Sequence, residues 1–364
     1  MRTSLLALAA LITLGGVVGF HEPARAVTHL TLRAGAGQGG FAVNAFLPET
    51  VTVEAGASLT WEFTWFEPHT VSFGTPDRFP ITSTPSPTTY DGSAFVSSDV
   101  TFGPGKRYTV SFPKVGAYPY FCFIHPDHRG VVRVVAPGAA GVDTQPAADA
   151  RAKAEYDAAL GELEAIAASA RAQPVEKTPL ADGTTSHLVR IARETRYGDV
   201  QQFFPPTLTI ATGDTVAWHT MAKTPHTVTF GPFPTGVPLP GNPLVDAVSR
   251  PADAYRGEGF WNSGPLGIDR ESGLDFSIRF AKPGSYAYYC ILHRDQGHVG
   301  TINVVDGAPV TPTPAPRPTP GPPATGSGGG PGPGGVSQTW SWLLALVAIA
   351  AGGTVSGWRL ARRR

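Results

Sequence analysis

Hydrophobic and polar residues alternate over short stretches of this chain, with turn residues between the stretches. Tyr108, Val110 and Phe112 share one face of such a stretch, and Tyr118, Tyr120 and Cys122 share a face of another. A period of two predicts β-strands. Val51-Thr52-Val53 and Leu59-Thr60-Trp61, on either side of Ala55-Gly56, read as two strands joined by a turn. The pattern returns as Leu208-Thr209-Ile210, Val216-Ala217-Trp218 and Phe276-Ser277-Ile278-Arg279-Phe280. Only residues 147–173, between the two sets, read as strongly helical in the exported part. That stretch is alanine-rich, with Tyr156, Leu160, Leu163 and Ala167 as one apolar stripe and Pro174 as its stop. Asp149 with Lys153 and Arg151 with Glu155 stand at i,i+4 spacing and are expected to pair. The expected role is a spacer helix whose stripe leans on one or both neighbours.

The two sets of strands are copies. Trp61 and His69 are spaced as Trp218 and His226 are; Phe46, Pro48 and Gly56 match Phe203, Pro205 and Gly213 at the same offset. Tyr90, Gly92 and Phe95 echo Tyr255, Gly257 and Phe260, and Phe112 and Gly116 echo Phe280 and Gly284. A duplicated domain explains this register. The expected organisation is a first domain at 27–137, a linker at 138–180 and a second domain at 181–307. With 36 prolines and 43 glycines, the chain is turn-rich in the manner of short-stranded all-β domains.

The ends have a different character. Arg2, an apolar run from Leu5 to about Phe20 and Ala24-Arg25-Ala26 read as a secretory signal at 1–26, with an uncleaved anchor as the alternative. Residues 308–338 are rich in Pro, Thr and Gly and read as a stalk. Residues 339–358 are nearly all apolar or small; a helix over Trp340 to Trp358 would span roughly 28 Å, close to a bilayer's hydrocarbon thickness. The arginines of 359–364 then mark the cytoplasmic side. A degenerate sortase-type signal at Pro323-Ala324-Thr325-Gly326 is the rival anchor. Either way both domains are expected outside the cytoplasm. Lysine plus arginine equals aspartate plus glutamate at 28 each, so nothing favours a nucleic-acid partner.

The copies also repeat a set of metal-seeking residues that uses both cysteines. The first copy has Pro68-His69-Thr70-Val71, then Tyr118-Pro119-Tyr120-Phe121-Cys122-Phe123-Ile124-His125 and His128. The second has Pro225-His226-Thr227-Val228, then Tyr286-Ala287-Tyr288-Tyr289-Cys290-Ile291-Leu292-His293 and His298. One thiolate with imidazoles, from a distant His and a local Cys-x-x-His, suits a mononuclear copper or zinc site. A disulfide between Cys122 and Cys290 would join equivalent positions of two domains, and no oxyanion or substrate pattern accompanies a Cys-His nucleophile.

These segments, with the closing Gly-Val-Val or Gly-Thr-Ile, resemble the cupredoxins, and most of all plastocyanin and azurin-like copper domains. The resemblance covers nearly all of both repeats. It implies two tandem Greek-key β-sandwiches, each holding one copper, and His69, Cys122, His125 and His226, Cys290, His293 as the strong ligands. The family's axial Met is missing, since the only methionines are Met1 and Met221. His128 and His298 stand in its place, and both are expected to bind metal; exposed loop histidines are the alternative. A third imidazole would favour the oxidised metal, lower the potential and pull the site towards tetrahedral, giving a green or red centre. The same donors suit Zn(II).

The expected fold is therefore all-β, two cupredoxin-like domains joined by a helical linker, with a C-terminal transmembrane helix. The expected function is surface-tethered one-electron transfer with extracytoplasmic redox proteins or membrane redox complexes. By the resemblance, His125 with Phe123 and Pro126, and His293 with Leu292, would line a docking face. Copper capture and delivery, or a zinc-bound or metal-free adhesion module, are the alternatives. A multicopper oxidase needs His-x-His pairs, which are absent, so no enzyme is expected. His29, His187 and His219 are read as structural.

Overall fold

The computed structural model of the chain describes residues 28–75, 89–125, 127–233, 249, 252–267 and 275–307. The expected signal, stalk, membrane span and basic tail lie outside these residues. Among the described residues, no helix is long and apolar enough to cross a membrane.

The first domain contains β1 (His29–Gln38), β2 (Phe41–Leu47), β3 (Thr50–Glu54), β4 (Ser58–Phe63), β5 (Pro68–His69), β6 (Ser72–Phe73), β7 (Val96–Ser97), β8 (Thr101–Phe102), β9 (Lys106–Ser111), β10 (Gly116–Phe121) and β11 (Arg129–Val135). One sheet runs β2-β1-β4-β9 and the other β3-β11-β10-β6-β7, while β5 pairs β8 at one end. Thus β3 and β4 are not a hairpin. The turn at Ala55-Gly56 carries the chain from one sheet to the other, so Val51, Val53, Leu59 and Trp61 meet in the core between them. Tyr108, Val110 and Phe112 enter the same core from one sheet, and Tyr118, Tyr120 and Cys122 from the other.

The linker helix α1 (Gln145–Ala172) starts two residues earlier than its apolar pattern suggests. Thr144 caps it by accepting from Ala147 N, and Pro146 suits a first turn whose N–H groups have no helical partner. After it come β12 (Lys177–Pro179), β13 (Thr185–Thr195), β14 (Gly198–Phe204), β15 (Thr207–Ala211), β16 (Thr215–Thr220), β17 (Thr229–Phe230), β18 (Trp261–Asn262), β19 (Asp275–Arg279), β20 (Gly284–Tyr289) and β21 (Val299–Val305). They repeat the first domain as β14-β13-β16-β19 over β15-β21-β20-β17-β18, around a core with Trp218, Phe230, Phe280 and Tyr288 at its centre.

The two domains are fused edge to edge. Strand β2 pairs antiparallel with β14, giving one continuous sheet β19-β16-β13-β14-β2-β1-β4-β9. The register is Val43↔Gly198, Ala42↔Asp199 and Phe41↔Val200. Ala42 and Asp199 are 157 positions apart, the offset that also relates Trp61 to Trp218. Flanking bonds obey the same rule, with Asn44 N donating to Tyr197 O and Gln201 N to Gly40 O, both at 2.8 Å. The domains are therefore related by a local twofold axis through the Ala42–Asp199 pair, an arrangement in which each partner offers the same patch.

Helix α1 lies across this joint. Its buried residues are Ala148, Ala152, Ala159, Leu163, Ala167 and Ala170, whereas Tyr156 and Leu160 of the expected stripe are only half-buried. Ala152, Ala159, Leu163, Ala167 and Ala170 pack with Ala36, Val43, Leu47, Val200 and Phe204, so residues of both domains and the helix share one cluster. Small side chains allow close approach: a Cβ at Gly198 would meet Ala42 O at 2.2 Å and Leu163 Cδ1 at 2.9 Å. The expected ion pairs do not form. Arg151 instead makes a two-pronged bond to Asp143, whose carboxylate also accepts from Thr52 N, and Lys153 pairs with Asp157. The helix is thus tied to the first domain by its N-terminal end and to both domains by its apolar face.

Candidate metal centres

Each centre forms where three segments meet at one end of a sandwich. In the first domain β5 and the segment after it carry His69 and Thr70, and the turn between β10 and β11 carries Cys122, His125 and His128. In that turn Cys122 N donates to His128 O and His128 N to His125 O, which curls the three side chains to one side. The second domain repeats this with Cys290 N to His298 O. Its loop is two residues longer and is closed by a 3-10 turn, Arg294–Gln296, ending in Gly297 at φ 94°.

The result is two clusters of four, His69, Cys122, His125, His128 and His226, Cys290, His293, His298, whose donor atoms lie within 4.8 Å of one another. Nδ1 of His69 is 3.2 Å from Nδ1 of His125, and Nδ1 of His226 is 3.1 Å from Nδ1 of His293. The sulfurs stand 3.7 Å from His125 Nδ1 and 3.5 Å from His293 Nδ1. His128 and His298 are 1 % and 0 % exposed, so neither is an exposed loop histidine. Neither ring nitrogen of either residue has a hydrogen-bond partner among the described residues. Buried orphaned nitrogens of this kind are costly unless something else binds them.

The electrostatics suit a cation. Burial alone would push both thiols up, but the surrounding imidazoles outweigh it and hold Cys122 and Cys290 well below the usual thiol value. Backbone N–H groups add to this: Thr70 N lies 3.2 Å from Cys122 Sγ and Thr227 N 3.3 Å from Cys290 Sγ. Burial drives His128 down to about 3 and His298 to about 4, so both are neutral and have lone pairs to offer. A thiolate and three imidazoles, preformed and dry, fit copper.

Several contributing residues could not be picked out from their own sequence neighbourhood. Thr70 Oγ1 accepts from Phe123 N and Thr227 Oγ1 from Ile291 N, locking the first-His segment to the cysteine loop. Phe46 and Phe203 cover His128 and His298 at ring separations of 3.8 and 4.2 Å. Gly35, at φ +77°, leaves the space that the His69 ring fills; a Cβ there would stand 2.1 Å from His69 Nε2. Glu67 and Asp199 are buried polar groups beside the histidines. Both mark places where the copies differ, since Thr224 and Ala42 occupy the equivalent positions.

The expected docking face is not free. His125 and His293 are only 7 % and 6 % exposed, because each lies near the other domain. Nε2 of His293 is 2.9 Å from Oε1 of Glu67, a first-domain residue, and Gln201 Nε2 donates to the same carboxylate. Across the joint Lys223 pairs with Asp127 at 3.1 Å. His29, His187 and His219 have structural partners in Thr60, Asp214 and Asp275.

Comparison with known proteins agrees with this geometry. The family of copper binding proteins, plastocyanin/azurin family, matches residues 34–136 and 189–305. Chloroplastic plastocyanin of Tetradesmus obliquus is 33% identical over 90 residues, 25% of this chain and 57% of that protein. Plastocyanin of Scenedesmus fuscus is 30% identical over 96 residues, 26% of this chain and 87% of that protein. The oxidised form of plastocyanin from Dryopteris crassirhizoma is 23% identical, covering 32% of this chain and 99% of that structure with a TM-score of 0.22. The chain spans about three fifths of the length of several curated relatives it matches. The chain belongs to the plastocyanin/azurin family of copper-binding proteins, in two tandem copies. Copper is that family's cofactor, the two clusters fit one ion per domain, and the chain is a copper-binding protein.

Proposed function

We propose that this chain is a two-copper electron carrier tethered to the outer face of a cell membrane. His69, Cys122, His125 and His128 would hold one ion, and His226, Cys290, His293 and His298 the other. The carrying observation is the buried cluster of one thiolate and three imidazoles, made twice on a duplicated plastocyanin-family domain. A bound copper ion supplies a one-electron couple. The chain's own residues supply the rest. Thr70 and Thr227 fix the thiolate and the loop that bears it, which would limit rearrangement of the donor set when a bound ion gains or loses an electron. Burial of all eight side chains keeps water out and disfavours metal exchange, which supports a resident redox centre over a site for capture and delivery.

The tether rests on the sequence: an apolar leader at 1–26, a stalk at 308–338, a span at 339–358 and a basic tail. Partners on this reading are extracytoplasmic redox proteins or membrane redox complexes. The test is a visible and EPR spectrum of the copper-loaded chain, followed by redox titration, with His128→Met and His298→Met alongside. The expected result is an intense thiolate-to-copper band that moves towards blue in each variant, with a rise in that site's potential. Stoichiometric zinc binding without a reversible copper wave would sink electron transfer. Unchanged spectra in both variants would remove His128 and His298 from the ligand sets.

A further inference from the structure

The local twofold matches nearly every contact around the two centres. Thr70 and Thr227, Phe46 and Phe203, and Ser98 and Ser263, which accept from Val71 N and Val228 N, are paired equivalents. Among the places where the match fails, two put a carboxylate on the same side. Glu67 reaches across the joint to His293 Nε2 at 2.9 Å, whereas its equivalent in the second domain is Thr224, which bonds Asp199 and Glu194. Asp199 sits on the axis with its Oδ2 3.3 Å from His226 Nε2, an ion-pair contact, while its equivalent Ala42 offers no polar group. Nε2 of His69, of His125 and of His226 has no hydrogen-bond partner among the described residues, so Asp199 acts on His226 through its charge and only His293 has its outer nitrogen at hydrogen-bond distance from a carboxylate.

The outer nitrogen of a metal-ligating imidazole controls the electron density on its inner nitrogen. An N–H directed at a carboxylate makes the ring a stronger donor and stabilises the more oxidised metal. Glu67 and Asp199 are also 5 % and 1 % exposed, so their negative charge is little screened by solvent. Glu67 also stands two residues before His69. The path from His293 through Glu67 and Pro68 to His69 crosses between the domains with a single non-covalent step.

Building on the electron-carrier reading above, we infer that Glu67 and Asp199 make the second centre the lower-potential one, so that a single electron delivered to the protein settles on the first. With copper held by both clusters, an internal transfer would oxidise the ion held by His226, Cys290, His293 and His298 by one electron and reduce the ion held by His69, Cys122, His125 and His128 by the same electron. One electron moves, no proton is transferred and no bond changes partner. An external one-electron donor then restores the second site.

The experiment is a potential-poised titration of the copper-loaded full chain, followed by EPR and by the thiolate-to-copper bands. Cys122→Ser and Cys290→Ser variants assign the waves. The expected result is two one-electron waves separated enough to favour the first site at least tenfold, about 59 mV for one electron. The lower wave is the one that Cys290→Ser removes. Glu67→Gln and Asp199→Asn each raise the lower wave and leave the upper one near its place. Asp199→Asn keeps the test open if Glu67→Gln loosens the joint, since Asp199 and His226 belong to one domain. Coincident waves, a lower wave removed by Cys122→Ser, or a separation unchanged in both carboxylate variants would overturn the inference while leaving the electron carrier intact. No reversible wave at all would remove both.

Discussion

The first and second centres have the same four donors, the same threonine lock and the same aromatic lid, yet they stand in different surroundings. Around the first, the outer nitrogens of His69 and His125 have no hydrogen-bond partner among the described residues, as is also true of His226 in the second, and a glycine makes room for His69. Around the second, two carboxylates face the histidines, one of them lent by the other domain. At the position of Gly35 the second domain has Ala192, itself at φ +58°. Duplication thus conserved what a copper ion would touch and changed what touches the ligands. Ligand identity decides which metal fits; the outer contacts decide how two otherwise equal sites differ.

The comparison can be broken most forcefully at Gly35. A methyl group there would overlap the His69 ring, so Gly35→Ala is expected to abolish or strongly distort the first-site band and leave the second intact. Separate absorption and EPR spectra of Gly35→Ala in Cys122→Ser and Cys290→Ser backgrounds check this; an unperturbed first site would mean that the ring and strand shift together. A smaller effect is expected at the joint. Leu163 is fully buried among residues of both domains, so Leu163→Ala should cost about 2–5 kcal/mol, read as a lower midpoint in urea. Amide exchange should rise at β2 and β14 before it rises in either core. Uniform exchange throughout would mean that the joint has no stability of its own to lose. The smallest effect sharpens the likeness of the two sites. Thr70→Val and Thr227→Val each remove the hydroxyl that accepts from one backbone N–H, that of Phe123 or Ile291, at about 1–3 kcal/mol. Thermal unfolding of the two variants should give equal losses; a marked inequality would mean that one loop is held by other contacts.

Much of the centres was legible in the sequence because their ligands are local or repeated. Cys-x-x-His is a short spacing, and the distant His69 and His226 are marked by an identical Pro-His-Thr-Val setting. His128 and His298 stood out because the same replacement occurs twice. Glu67 could not be found in this way. Its partner His293 is 226 positions away, and an isolated Glu before Pro-His has no meaning until the other domain is beside it. The helix was legible as a helix, from its alanines and stop, but its charge pairs were not. Arg151 had a carboxylate available at i+4, yet Asp143 gave a two-pronged geometry and a link to Thr52 N.

By itself the sequence determined the period-two strands, the duplication, the eight candidate donors and the helical linker, because each is written in spacing along the chain. The tertiary structure alone decided that β2 and β14 join into one sheet. Edge pairing is made by backbone groups that every residue possesses, so the side-chain pattern does not announce it. That joint in turn brought Glu67 to His293 and placed Asp199 on the axis. The difference between two chemically identical donor sets is a property of their neighbours in space.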